Sequence, residues 1–247
     1  MLLPGTMLVA LAAVLALPML LGLHGRYTQV CVLLFVASAL ANAAAASWHA
    51  DFVCSRDFCE APPLPDRGFE WIGDQSGNAT LVYVVDALPP LLLCALIITL
   101  YRKEDRVRAT VLSGLSLVMF ARALVVQSTG LSPAKQGNAS LPLHETEVAR
   151  LLRELGGREP PGGHSHYDLM FSGHASLFLG CALWLLQLNG KLDGPAAPAW
   201  VGAAVVAALA ESAGLVAVRM HYTADVLIGL IIAGLAFANG RHAFHLC

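Results

Sequence analysis

The 247-residue chain is 57% hydrophobic and 13% charged, with a mean hydropathy of +0.65 and a formal net charge of −2. That composition excludes an ordinary soluble domain, and the near-balance of charge argues against a nucleic-acid partner. Long apolar runs with few charges are the mark of helices that cross a bilayer.

Seven such runs follow one another, at 7–23, 29–48, 80–101, 109–129, 168–189, 199–218 and 224–240. Each is near the ~20 residues a crossing needs. The expected fold is all-α: a polytopic membrane bundle of six core transmembrane helices over residues 28–247. One extra hydrophobic segment within 1–27 precedes it. That segment resembles the apolar core of a signal peptide in length, but Met1–Thr6 carries no basic residue, as a signal sequence should. It is read as an extra span or anchor.

Polar segments at 49–79 and 130–167 separate the runs, and a tight basic turn, "YRKEDRVRA", joins the third run to the fourth. Arg102, Lys103, Arg106 and Arg108 place that turn in the cytoplasm. Alternation puts Lys191 and Arg241 on the same side, and puts 49–79, 130–167 and 218–223 on the lumenal or exterior side. The segment 130–167 is also basic, but long loops count less in this rule. Two sequons, at Asn78 and Asn138, fall on the outer side, although Asn78 lies too close to a span to favour modification. Of six cysteines, Cys54 and Cys59 share a polar loop. They either pair in an oxidising lumen or stay as thiols. Trp48, Trp71 and Trp200 read as interface anchors.

Two stretches carry chemistry. In "YDLMFSGHASLFLG", His174 stands near the start of the fifth run, and in "VRMHYTADVLIG", His221 stands just ahead of the seventh. Two crossings separate them, so the topology returns both imidazoles to one face of the membrane. Asp225 lies one helical turn from His221. Two histidines and an orienting carboxylate suit phosphoryl transfer. One ring attacks phosphorus, the other moves protons at the leaving and accepting oxygens, and the carboxylate orients the nucleophile. The bland alternative is a set of interfacial polar residues with structural duties.

Ser172 and Gly173, at the start of a helix, offer backbone N–H groups to a phosphate. Arg122, inside an apolar run, is costly there unless paired. It is either a phosphate clamp or one half of an ion pair with Asp86 or another carboxylate. Asp86 is read as that partner or as a binder of a cationic head group. Asp168 orients His174 or caps a helix. Together with Tyr222, Arg122, Asp168, Ser172 and Gly173 form the candidate substrate-binding set. His164 and His166 alone make a poor metal site.

These residues resemble the sphingomyelin synthases and their relatives, within the type 2 phosphatidic acid phosphatase-like superfamily. "PPLPDRGFEWI" (62–72) is similar to that family's proline-rich motif, "DLMFSGHASL" to its first histidine motif, and "HYTADVLIG" to its second. "RALVVQSTGLSP", from Arg122, is a weaker match to its arginine-bearing span end. The wider superfamily usually carries Lys-x6-Arg-Pro and an arginine at a set distance before the last histidine. Neither Lys103 nor Lys135 begins such a motif, and Arg219 stands too close to His221.

The resemblance implies six core helices and a site facing the lumen or exterior, in Golgi or plasma membrane. It implies that His174, His221 and Asp225 form a catalytic triad with no metal and no cofactor. The implied reaction moves phosphocholine or phosphoethanolamine from a glycerophospholipid to ceramide, releasing diacylglycerol through a phosphohistidine. The partners are membrane lipids, and a homo-oligomer stays open. The alternative is a lipid phosphate phosphatase or phospholipase-C-like hydrolase with water as acceptor. A non-enzymatic scaffold and head-group exchange between glycerolipids are further readings. Ala175, His166-Tyr167 and Arg219-Met220 depart from the family's usual residues, and these departures bear on the head group.

Overall fold

The computed structural model describes residues 26–55, 64–128 and 171–245. The first apolar run, Cys59, Asn138, His164, His166 and Asp168 lie outside the described residues, as do the side chains of Trp48 and Cys54. The described residues form seven helices: α1 (Arg26–Ser55), α2 (Arg67–Ile72), α3 (Ala79–Tyr101), α4 (Asp105–Ser128), α5 (Gly173–Leu188), α6 (Ala197–Ala217) and α7 (Thr223–His245). Among them there is no strand, and the protein is an all-α membrane bundle.

Among the described residues, four stretches are long and apolar enough to cross a bilayer: Ala79–Tyr101, Asp105–Val125, Ala197–Ala217 and Thr223–His242. Tyr27–Ala41 and Gly173–Leu188 are shorter apolar helical stretches. Of the six expected core spans, four have crossing length among the described residues, and two coincide with these shorter apolar stretches. The sequence reading missed α2, a helix of six residues within the polar segment 49–79. It also started the fifth run early. Asn78 caps α3, its side chain accepting from the Leu81 N–H at 3.1 Å, so the first sequon serves as a helix start.

At one end of the bundle the basic residues gather as the topology requires. Lys103 donates to the Leu188 carbonyl at 2.8 Å, and Arg241 to the Leu192 carbonyl at 2.6 Å. A cation at Leu188, the last residue of α5, meets the negative end of the helix. Lys191 stands 5.6 Å over the Trp200 ring. Here Thr28 of α1 donates through its N–H and its hydroxyl to the Asp105 carboxylate at the head of α4. Arg108 donates to the Thr28 hydroxyl at 3.2 Å.

α5 is the central helix, packed against α3, α4, α6 and α7. Its Trp184 is fully buried and meets the Phe237 ring edge-on at 4.9 Å. Lipid tails are as apolar as the side chains, so close packing rather than burial from water holds such helices together. Gly240 supplies the close packing on α7: a Cβ there would fall 2.7 Å from Trp184 Cζ2. Gly234, on the same helix, has nothing within 4 Å of such a Cβ. Gly240→Val is expected to destabilise the bundle by about 1–3 kcal/mol. The melting temperature in detergent then falls by about 2–12 °C, while Gly234→Val leaves it near that of the parent.

Candidate active site

The head of α5 is set by Ser172. Its backbone is extended, and its Oγ accepts from the Ala175 N–H at 3.2 Å. Serine is favoured in this role because its oxygen satisfies a first-turn N–H that has no partner inside the helix. The preceding residue, Phe171, is fully buried with φ 129°, a backbone conformation that side-chain-bearing residues rarely adopt. Arg122 of α4 secures it, Nε donating to the Phe171 carbonyl at 3.1 Å. The guanidinium then lies so close that a Cβ on Gly173 would come within 2.8 Å of Nε. A side chain at this glycine of "SGH" would push the guanidinium away from the Phe171 carbonyl.

The head of α7 is built by Asp225. Its Oδ2 accepts from the Tyr222 N–H at 2.9 Å, a carboxylate in the first turn reaching back to the residue that opens the helix. Its backbone carbonyl accepts from the Ser172 N–H at 3.0 Å, joining the two helix heads. His174 and His221 follow from this junction. Their ring centroids are 6.2 Å apart and their planes meet at 58°. His174 Nε2 lies 2.9 Å from Asp86 Oδ1, a carboxylate on the second turn of α3. His221 Nδ1 lies 3.7 Å from Asp225 Oδ2, at ion-pair range and beyond a hydrogen bond. The ring nitrogen left for chemistry is Nδ1 on His174 and Nε2 on His221.

The two environments differ. The His174 side chain is 29% exposed and that of His221 is 6% exposed. Burial pushes the His221 pKa below its ordinary value of 6.5. The Asp225 carboxylate opposes that shift, and the charges of His174 and Arg122 reinforce it. The ring is therefore neutral at pH 7, as a nucleophile or base must be.

The structure brings together five of the residues singled out in the sequence: His174, His221, Asp225, Arg122 and Ser172, with Gly173 beneath the guanidinium. Three readings change. Asp86 meets His174 at 2.9 Å across the α3–α5 contact. The Ser172 N–H is taken by the Asp225 carbonyl, so it does not cradle a phosphate. Tyr222 is turned toward the segment ahead of α3: its ring stacks on Phe69 at 5.3 Å, and its oxygen accepts from the Leu64 N–H at 2.9 Å. Asp168 lies outside the described residues. A carboxylate two turns inside an apolar helix was the available sign that Asp86 belongs to the site.

Residues 167–243 match the protein-family profile described as PAP2 superfamily C-terminal. The match supports a place for this segment in the type 2 phosphatidic acid phosphatase-like superfamily. It fits phosphoryl transfer or hydrolysis on lipids and does not separate the two. The matched segment contains His174, His221 and Asp225; Asp86 and Arg122 lie outside it. No curated protein matches the chain.

In protein carrying 13Cε1-labelled histidine, the His221 resonance is expected to titrate below pH 6.5. Asp225→Asn should move the midpoint lower still, because the carboxylate favours the imidazolium. The folded ring resists a proton that the unfolded chain accepts near pH 6.5. Its contribution to stability is thus present above that pH and is lost as the pH falls through the lowered folded value. A midpoint at or above 6.5 would contradict the burial of this ring.

Proposed function

We propose that the protein transfers a phospho-head-group, phosphocholine or phosphoethanolamine, from a glycerophospholipid to the primary hydroxyl of ceramide. The observation that carries this reading is the facing pair of histidines, each with its own carboxylate: His174 with Asp86 at 2.9 Å, and His221 with Asp225 at 3.7 Å. The family match supports phosphoryl chemistry on lipid. The proline-rich motif 62–72 and the missing Lys-x6-Arg-Pro motif favour ceramide over water. The site opens to the lumen or exterior of Golgi or plasma membrane, opposite the basic end of the bundle.

The mechanism needs two in-line displacements. The His221 Nε2 lone pair attacks phosphorus, and the bond from phosphorus to the diacylglycerol oxygen breaks. His174, starting as imidazolium, gives that oxygen its proton. In the second half His174 takes the proton from the ceramide hydroxyl. The hydroxyl oxygen attacks phosphorus, and the phosphorus–nitrogen bond breaks to restore His221. Asp86 fixes the His174 ring and faces its positive charge. Asp225 does the same for His221 while phosphorus is attached. Arg122 supplies positive charge to the phosphoryl oxygens, alongside the N–H groups of Gly173 and His174 at the head of α5.

The test supplies purified protein in detergent with fluorescent ceramide and phosphatidylcholine, phosphatidylethanolamine or phosphatidylinositol, with products resolved by mass spectrometry. A phosphosphingolipid is expected, and it names the head group. His221→Ala should abolish it, and His174→Ala should lower kcat by about 10²–10⁴-fold. Asp86→Asn should lower kcat more than it raises KM. Diacylglycerol formed without a phosphosphingolipid would mean that water is the acceptor and the hydrolase reading holds. Turnover unchanged in His221→Ala would sink both.

A further inference from the structure

α7 has an unusual start. Its first residue is Thr223 and the residue ahead of it is Tyr222, whose phenol is not a helix-capping side chain. The cap comes from 157 positions away. Asp66 Oδ2 accepts the Thr223 N–H at 2.6 Å, and Asp66 Oδ1 accepts the Thr223 hydroxyl at 2.6 Å. The same Oδ1 accepts the Gly68 N–H at 2.7 Å and the Phe69 N–H at 3.4 Å, capping α2. One carboxylate thus holds the heads of two helices. Burial works against its charge, but the hydrogen bonds from Thr223, Gly68 and Phe69 outweigh that and keep its pKa below the usual 3.8.

The contacts continue on both sides of His221. Downstream, Tyr222 stacks on Phe69 and accepts from Leu64. Upstream, Arg219 adopts φ 61°, lies 3.9 Å over the Phe69 ring and donates to the Phe69 carbonyl at 3.3 Å. The Gln75 N–H donates to the Ala217 carbonyl at 2.8 Å. Residues 217, 219, 222 and 223 are all gripped by the segment 64–75, and His221 sits in the middle of the gripped run. His221 Nδ1 itself has no hydrogen-bond partner among the described residues. With only the Asp225 carboxylate at ion-pair range of that nitrogen, the placing of the ring depends heavily on the backbone that carries it.

We infer that segment 64–75 is a strap belonging to the His221 apparatus, and that Asp66 is a positioning residue that fixes where His221 stands by capping α7 from outside the helix. The fit is close: a Cβ on Gly68 would collide with Thr223 Oγ1. Among the described helices, α2, the helical part of the strap, touches only those whose ends flank His221, α6 and α7. The strap acts through the histidine and touches no reacting atom, so its loss acts on turnover rather than on lipid binding.

This inference rests on the proposed function for its kinetic arm and is independent of it in its spectroscopic arm. Full-length Asp66→Ala, Asp66→Asn and Thr223→Val proteins are compared in detergent by kcat and KM per folded molecule. The 13Cε1 resonance of His221 is recorded in each. Asp66→Ala is expected to shift that resonance and lower kcat by about 10–100-fold, the scale of a displaced catalytic group, with KM within about twofold. Asp66→Asn has one acceptor oxygen where the carboxylate uses two, so it should keep one of the two caps and restore the resonance and the turnover only in part. Thr223→Val removes only the hydroxyl bond and should cost about fivefold. It carries the test where Asp66→Ala does not fold. A His221 resonance unmoved in both Asp66→Ala and Thr223→Val, with loss confined to the yield of folded protein, would reduce the strap to a fastening and overturn the inference. Should no donor be turned over by the parent protein, the resonance alone decides.

Discussion

The site depends on one residue, Asp225, which joins two membrane helices at their heads. Its carbonyl receives the Ser172 N–H of one helix start, and its carboxylate receives the Tyr222 N–H of the other. Helix starts carry N–H groups with no partner inside the helix, and in an apolar setting each is expensive to leave bare. Asp225 serves both heads at once. Gly229, one turn further along α7, lets the helices come this close, since a Cβ there would stand 2.7 Å from the Ser172 carbonyl oxygen. The 6.2 Å spacing of the histidine rings is a consequence of this junction. A fully buried carboxylate is tolerated only with such partners.

The other polar groups follow the same logic. Arg122 is buried within an apolar helix, and its Nε–H bond to Phe171 holds the strained turn that leads into Ser172. Asp86 sits two turns inside α3 and meets His174. Each intramembrane charge therefore contributes to the shape of the site as well as to its electrostatics. The arrangement draws on four helices, so it exists only when the bundle is closed. Trp184 and Gly240 hold α5 against α7 toward the opposite, basic end of the bundle and keep the two heads in line.

Much of this was legible in the sequence, because the governing constraint is simple. Apolar runs of crossing length with basic turns between them fix the number of helices and the end at which each residue emerges. His174 and His221 are separated by two crossings, so their meeting follows from counting. The grouping of Lys103, Lys191 and Arg241 at one end of the bundle follows in the same way. Partner choice is less visible. Asp86 and Arg122 are both intramembrane charges, and nothing in their spacing says that the carboxylate meets the His174 ring or that the guanidinium reaches the Phe171 carbonyl. That depends on helix rotation, which side-chain packing sets. Asp66 was harder still. It stands in a proline-rich polar segment whose motif is recognisable, but a cap supplied across 157 positions leaves no periodic trace.

The family match and the geometry divide the site unequally. The matched segment, 167–243, supplies both histidines and Asp225, the parts that any phosphohistidine chemistry needs. Asp66, Asp86 and Arg122 come from residues ahead of it. They act on the same two rings from outside: Asp86 on His174, Asp66 on the backbone around His221, and Arg122 on the turn between them. Under the proposed reading, cleavage of the donor is a property of the matched segment. The acceptor meets a site whose walls also come from α3 and α4, with the strap fastened across the His221 turn. A hydrolase and a transferase differ in whether a second lipid reaches phosphorus before water does. That difference belongs to the walls and the strap, because the attacking and proton-carrying groups would be the same in both.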